Sequence, residues 1–362
     1  MEYFCERCGC RDPNYFVRFQ DKVQCRRCIS YQGQEGDVAL GPVDVEEYLS
    51  FSLTPKQKHV SQEIYDASLK GDVLIHAVCG AGKSELIVQT LSNVLSSNQT
   101  IGITVARRQV VLELAKRYKA IYPNIVVTPV CEGHTTQLSG NLMICTSHQL
   151  YRFHKHFDYL VIDEPDAFPF VSDPVLQGFA KQASKGVTLY LTATPSLELQ
   201  KLRTIQLFRR PHGMDLPVPH LHKAPRVIQV IKLRNWLKEN TLPKLIFVPT
   251  KKLGNSLSSI LKIPFAYAGK EDLDSLLHLF KENKYNHLLC TTVLERGLTF
   301  ENVQVAVLEA QHPIFTEATL IQIAGRVGRS SRYPSGEVHF YFQKQGDAIK
   351  QCVHHIQEAN RA

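Results

Sequence analysis

The stretch "HAVCGAGKSE", residues 76–85, decides the fold. The apolar run 73–78 feeds a glycine-rich turn, and a helical pattern starts near residue 83. A strand, a tight turn and a helix N-terminus, in that order, aim backbone N–H groups at one point, the arrangement that cradles a phosphate. In such a loop Cys79, Gly80, Ala81 and Gly82 line the phosphates, Lys83 reaches the β and γ groups, and Ser84 holds Mg2+. Ala77 stands where the pattern usually opens on glycine, so Gly80 and Gly82 are expected to carry the turn. Gly-Lys-Ser alone is a weak signal; the motifs downstream make it specific.

About 80 residues downstream, "VIDEPDAFPF" (161–170) ends an apolar run in carboxylates. Asp163 at the strand's C-terminal end would hold Mg2+, and Glu164 would accept a proton from the attacking water. Pro165 lacks an N–H and fits just past a strand, and it is expected to bias Glu164 toward extended backbone. Asp166 is expected to be a coupling residue, and the aromatics Phe168 and Phe170 to pack inward, with stacking on DNA bases as the alternative.

Apolar runs alternate with helical patterns on both sides of these motifs: "TIGITV", "NIVV", "NLMICT", "YLVID" and "VTLYLTA". The alternation predicts a parallel sheet covered on both faces. It resumes beyond a Pro- and His-rich stretch, 211–225, which reads as a linker. There "RVIQVIKL" (226–233) reads as a strand ahead of a helix near 233–240, followed by "KLIFV", "FAYAG", "HLLCTT", "VQVAVLE" and "GEVHFYF" with helices between. The fold expected is α/β: two tandem RecA-like parallel-sheet domains, 41–210 and 226–362, after a small element at 1–40.

In that element Cys5-x-x-Cys8 and Cys25-x-x-Cys28 are separated by sixteen residues. Two such pairs suit a tetrahedral Zn2+ site, whose metal would supply folding energy that so short a segment cannot obtain from a core. Cys10 leaves the ligand set open, since it could replace a neighbour. Tyr3, Phe4, Tyr15, Phe16 and Phe19 could cover the site.

The chain has 362 residues and a net charge of +8, with basic residues concentrated in 199–234, which favours a polyanionic partner. No apolar run approaches the roughly 20 residues that span a bilayer, and "MEYFCERCGC" is no secretory signal. A cytoplasmic location is expected.

Several further motifs resemble those of superfamily 2 helicases. "LYLTATPS" (189–196) is similar to the coupling motif, through Thr192 and Thr194. "CTTVLERGLTF" (290–300) resembles motif V, with Thr291, Arg296 and Gly297, and "QIAGRVGRS" (322–330) resembles motif VI, with Gln322, Arg326 and Arg329. Three residues apart, the two arginines would share one face of a helical turn and reach the γ-phosphate. "LTPKQ" (53–57) resembles the motif that reads adenine through Gln57. Arg107 or Arg108, Thr146, Ser147, His148 and Thr250 fall in stretches similar to the DNA-contacting motifs Ia, Ib and IV.

A four-cysteine element ahead of this set, with "DEPDAFPF" and "LERG", resembles the ComFA family of late-competence DNA-uptake ATPases of Gram-positive bacteria. The resemblance spans nearly the whole chain. It implies an ATPase stimulated by single-stranded DNA that helps draw DNA through a membrane channel. It also implies a ComFC-like phosphoribosyltransferase partner and a place at the inner face of the membrane. Many members of that family carry more residues before the first cysteine, and Pro165 stands where they have a small apolar residue. A PriA-like replication-restart helicase is the alternative, disfavoured because its zinc elements are inserted within the core. In DEAD-box RNA helicases motif V has an acidic residue where Thr299 stands. A scaffold with a dead ATP site is opposed by the intact Lys83, Asp163, Glu164, Arg326 and Arg329.

Overall fold

A computed structural model describes residues 3–19, 22–36, 41, 43–294 and 300–362. The motif V residues Arg296 and Gly297, with Thr299, lie outside them. The chain divides into two compact units: Met1–Ala77 with Lys83–Leu207, and Val78–Gly82 with Phe208–Ala362.

The first unit contains the antiparallel pair β1 (Phe16–Phe19) and β2 (Lys22–Cys25), then α1 (Pro55–Ser68), β3 (Val73–Ala77), α2 (Lys83–Leu86) and α3 (Val88–Ser96). It continues through β4 (Ile101–Val105), α4 (Arg108–Ile121), β5 (Val127–Val130), β6 (Leu142–Thr146) and β7 (Phe157–Asp163). It closes with α5 (Pro174–Ala183), β8 (Ser184–Thr192) and β9 (Arg203–Leu207). Seven strands form one sheet in the order β5-β6-β4-β7-β8-β3-β9, and every pairing in it is parallel. Central strands of such a sheet are covered on both faces, which is why β4 and β6 are apolar runs buried at every position.

The second unit holds β10 (His220–Lys223), α6 (Arg226–Lys238), β11 (Lys244–Phe247), α7 (Lys251–Leu261), β12 (Phe265–Ala266) and α8 (Leu273–Lys281). After these come β13 (His287–Cys290), β14 (Gln304–Val307), α9 (Glu317–Ala324), β15 (Val338–Phe342) and α10 (Asp347–Arg361). Its sheet runs β10-β15-β14-β11-β13-β12, again parallel throughout.

Three local expectations are corrected. Residues 226–233 are not a strand but the first turns of α6. Their β-branched run misleads, because Leu233, Trp236 and Leu237 bury at helical spacing while Val227, Ile228 and Ile231 face solvent. The Pro- and His-rich stretch contains β10, an edge strand whose His-Leu-His-Lys sequence has no apolar signal. The strand expected at 124–127 lies at Val127–Val130, and β9 is an additional strand with only two buried positions, Ile205 and Leu207.

The N-terminal element packs on α5. Cys8, Cys10 and Cys28 are buried in one apolar cluster with Leu176, Phe179 and Ala180, and the ring of Tyr31 meets Phe179 edge-on at 4.8 Å. Gly178 permits the approach, since a Cβ there would lie 2.1 Å from the Cys8 carbonyl oxygen. Of the aromatics expected to cover the site, Phe16 packs against the cysteine cluster and meets the ring of Tyr3 at 5.1 Å, whereas Tyr3, Phe4 and Tyr15 are themselves exposed.

Candidate active site

Register places the chemistry of the first unit. Ile75 of β3, Leu191 of β8 and Asp163 of β7 form one row across three adjacent strands. The glycine-rich loop leaves β3 two residues past that row, and Asp163 ends β7 within it, so both emerge at the carboxyl edge of the sheet, where α/β folds place their ligands. Lys83 opens α2 and its ammonium donates to the Ala77 carbonyl at 3.1 Å. The Ser84 carbonyl is held by the hydroxyl of buried Tyr118 at 3.0 Å, whose pKa burial pushes well above its ordinary value.

Glu164 has φ +58° rather than the extended backbone expected before a proline. The turn explains the difference. The Ala167 N–H donates to the Glu164 carbonyl at 2.9 Å, with Pro165 at the second turn position, and the Glu164 N–H donates to the Leu191 carbonyl at 2.8 Å. A non-glycine residue in the left-handed region costs about 1–2 kcal/mol, and such strain clusters at functional sites.

Asp166 joins two of the motifs. One carboxylate oxygen accepts from the Thr192 hydroxyl at 2.6 Å and the other from the Thr194 hydroxyl at 2.8 Å. Thr192 in turn accepts from the Thr194 N–H at 2.9 Å. Hydrogen bonds to a charged acceptor contribute about 1.5–3 kcal/mol each, so Asp166→Ala is expected to lower the urea midpoint of unfolding clearly. Thr192→Val should have a smaller effect, and a smaller one still when Asp166 is already gone, where only the bond from the Thr194 N–H remains to be lost. Phe168, two residues on, is 74% exposed and does not pack, whereas Phe170 is buried.

Gln57 closes a capping box on α1: its side-chain oxygen accepts from the Thr54 N–H at 3.0 Å, and the Gln57 N–H donates to the Thr54 hydroxyl at 3.2 Å. Among the expected DNA contacts, Arg107 occupies the position just before α4, making no side-chain capping bond, and Arg108 donates to the Glu132 carbonyl at 3.0 Å. Thr146 and Ser147 are only 8% and 2% exposed, so their side chains cannot meet a strand in solvent as they stand. His148 is part-exposed, and burial lowers its pKa.

The second unit takes in Val78–Gly82. Gly80 and Gly82 have φ +83° and +85°, so they do carry the turn in place of Ala77. The Cys79 thiol donates to the Gln322 side-chain oxygen at 3.1 Å. Gln322 is buried, and among the described residues its amide nitrogen has no hydrogen-bond partner. Arg326 and Arg329 do not share a helical face: α9 ends at Ala324, and both follow it in a turn containing Gly328 at φ +68°. Arg326 is buried; Arg329 is half-buried and donates to the Gly325 carbonyl at 2.9 Å. Thr250 caps α7 and is exposed, and the Thr291 N–H donates to the Ala266 carbonyl at 3.1 Å. Sequence reasoning missed Arg210, whose buried guanidinium lies among these residues.

The sulfurs of Cys5, Cys8, Cys25 and Cys28 all lie within 4.8 Å of one another. Cys5 and Cys28 are 3.6 Å apart, and Cys8 and Cys25 are 3.8 Å apart. Tetrahedral zinc with bonds of about 2.3 Å requires sulfur separations of roughly 3.8 Å, so the donors fit. Cys10 is outside this group; its carbonyl accepts from the Cys5 N–H at 2.9 Å.

Comparison with known proteins agrees with this architecture. Residues 50–197 match the family described as type III restriction enzyme, res subunit, and 223–331 match the helicase conserved C-terminal domain. Among solved structures, a variant of S. cerevisiae Dbp5 bound to RNA and ADP BeF3 aligns with a TM-score of 0.65 at 16% identity, covering 87% of this chain and 93% of that one. Mycobacterium smegmatis Lhr bound to ssDNA and AMP-PNP aligns at 0.62 and 13%, covering 85% and 50%. These likenesses show the fold. Competence protein ComFA of Streptococcus pneumoniae is 33% identical over 391 aligned positions, covering 99% of this chain and 90% of its own. ComFA of Bacillus subtilis is 30% identical, with 99% and 86% covered. With the helicase domains and the ordered motifs together, the chain is an ATP-hydrolysing, helicase-type enzyme, and it belongs to the ComFA family.

Proposed function

We propose that this chain is a motor that uses ATP hydrolysis to move single-stranded DNA during uptake of transforming DNA. The observation that carries the reading is the row of Ile75, Leu191 and Asp163, which brings the glycine-rich loop and the Asp163–Glu164 pair out at one sheet edge. Lys83 and the loop amides would bind the ATP phosphates, and Ser84 with Asp163 would hold Mg2+, which screens phosphate charge when bound. Glu164 would take the proton of the attacking water. Arg326 and Arg329 would offset negative charge on the γ-phosphate, and the orphan amide of Gln322 suits an anionic oxygen. Gln57 would contribute to the adenine site, and Arg296 and Gly297 to coupling with Asp166, Thr192 and Thr194.

For the strand itself, Arg107, Arg108, His148, Thr250 and Thr291 are the proposed contacts, with Thr146 and Ser147 acting through their backbone. Exposed Phe168 adds a ring on which a base could stack. Zn2+ would occupy the four-cysteine group. Family membership supports a ComFC-like partner and work at a membrane DNA channel from the cytoplasmic side. Among the described residues no helix is long and apolar enough to cross a membrane.

The test is ATPase activity of the wild type and Lys83→Ala with single-stranded DNA, duplex DNA, forked DNA and RNA. Single-stranded DNA should stimulate most, and Lys83→Ala should fall to background. Affinity should drop with salt at a log–log slope of about 0.7 per phosphate contacted. No activity with any nucleic acid would end the motor reading, and preference for forks would favour replication restart.

A further inference from the structure

Arg210 lies outside every motif, in the stretch that reads as the end of one domain and the start of a linker. It is 2% exposed. Among the described residues its hydrogen bonds all go to backbone carbonyls of the second unit. Its Nε donates to Cys79 O at 2.9 Å, Nη1 to Val327 O at 2.7 Å and Gly328 O at 2.8 Å, and Nη2 to Gly325 O at 3.0 Å. We infer that Arg210 is a positioning residue for ATP hydrolysis, fixing the glycine-rich loop against the turn that carries Arg326 and Arg329. This rests on the ATPase reading above.

The seat is built for a guanidinium. Gly325, Val327 and Gly328 follow the last turn of α9, where carbonyls lack helical partners and the helix carries partial negative charge. A buried cation is costly unless compensated; among the described residues no carboxylate pairs with Arg210, and the helix end offsets the cost. Burial, reinforced by the nearby Arg329 charge, lowers the Arg210 pKa to about 10, which leaves it protonated at neutral pH. Three glycines clear the space. A Cβ at Gly80 would lie 3.2 Å from Arg210 Nε, one at Gly328 3.0 Å from Nη1, and one at Gly325 2.4 Å from the Cys79 Cβ.

The link to chemistry is a shared acceptor. The Gly325 carbonyl takes hydrogen bonds from Arg210 Nη2 and from Arg329 Nε. Arg210 therefore sets the oxygen that orients Arg329, while its Nε sets the carbonyl of Cys79 in the glycine-rich loop. A lysine cannot reproduce this: it offers one nitrogen where three separate nitrogens of a planar fork are used.

The experiment compares steady-state ATPase kinetics, with single-stranded DNA present, of wild type, Arg210→Lys, Arg210→Gln, Arg329→Gln and the Arg210→Gln/Arg329→Gln double variant. Melting temperature and binding of a fluorescent ADP analogue are measured alongside. Misplacing a catalytic group by about 1 Å can cost on the order of 100-fold, so both Arg210 variants should lose about that in kcat while KM and ADP affinity stay within a few-fold. The double variant should lose clearly less than the product of the two single losses, because part of what Arg210 does runs through Arg329. Wild-type kcat in Arg210→Lys, losses that multiply in the double variant, a KM that rises in step with the loss, or failure of both Arg210 variants to fold would each overturn the inference. If the wild type itself hydrolyses no ATP, the ATPase reading falls and takes this one with it; an active wild type with a normal Arg210→Lys sinks this one alone.

Discussion

Glu164→Gln is expected to reduce ATP turnover about 10²–10⁴-fold, the usual contribution of a positioned general base, with ATP affinity within a few-fold of wild type. The substitution is nearly isosteric, and it leaves the turn intact. That turn is made by backbone groups, Ala167 N–H to Glu164 carbonyl and Glu164 N–H to Leu191 carbonyl, which a side-chain amide does not disturb. The lost property is basicity alone. Single-turnover kinetics with nucleotide binding measured in parallel separate the two terms. Turnover within tenfold of wild type would assign the proton to another group. A loss of binding equal to the loss of rate would make Glu164 a ligand instead of a base.

Cys25→Ala is expected to remove the bound metal and unfold the N-terminal element. Structural zinc in small domains contributes about 10–16 kcal/mol of apparent binding free energy at neutral pH, more than any other single change considered for this chain. Three thiols remain, but the fourth corner of a closed tetrahedral site is lost. The effect should spread beyond the element, because Cys8 and Cys28 share an apolar cluster with Leu176 and Phe179 of α5. Metal analysis of purified protein should fall from near one zinc per chain to a small fraction, with a lower melting temperature. Undiminished zinc would remove Cys25 from the ligand set. Zinc lost with no change in melting would show that the cluster holds without it.

Much of the fold was legible because parallel strands buried on both faces leave continuous apolar runs, as in "IGITV" and "LMICT". The glycine-rich loop and the carboxylates were legible because strand ends position them, and strand ends can be read. What stayed hidden was non-local or carried by backbone. His220–Lys223 pairs as an edge strand on β15 without any apolar pattern, and α6 looks like a strand until Leu233, Trp236 and Leu237 are seen to share the buried side. The conformation of Glu164 could not be inferred from Pro165 alone, since the preference for extended backbone before proline is overridden by the turn bond from the Ala167 N–H and the bond to the Leu191 carbonyl. The arginines of "GRVGR" looked helical by spacing, yet the helix stops at Ala324. Arg210 sent no signal at all, because its partners are carbonyl groups that every residue possesses.

The packing of the cysteine element on α5 has a consequence for dissecting the chain. With Gly178 set against the Cys8 backbone and Tyr31 against Phe179, the cysteine element forms part of the wall of the first unit. Cutting it away would uncover the apolar side of α5, and the shortened protein should aggregate on expression instead of yielding a free-standing motor. Substituting Leu176 or Phe179 with polar residues should restore its solubility.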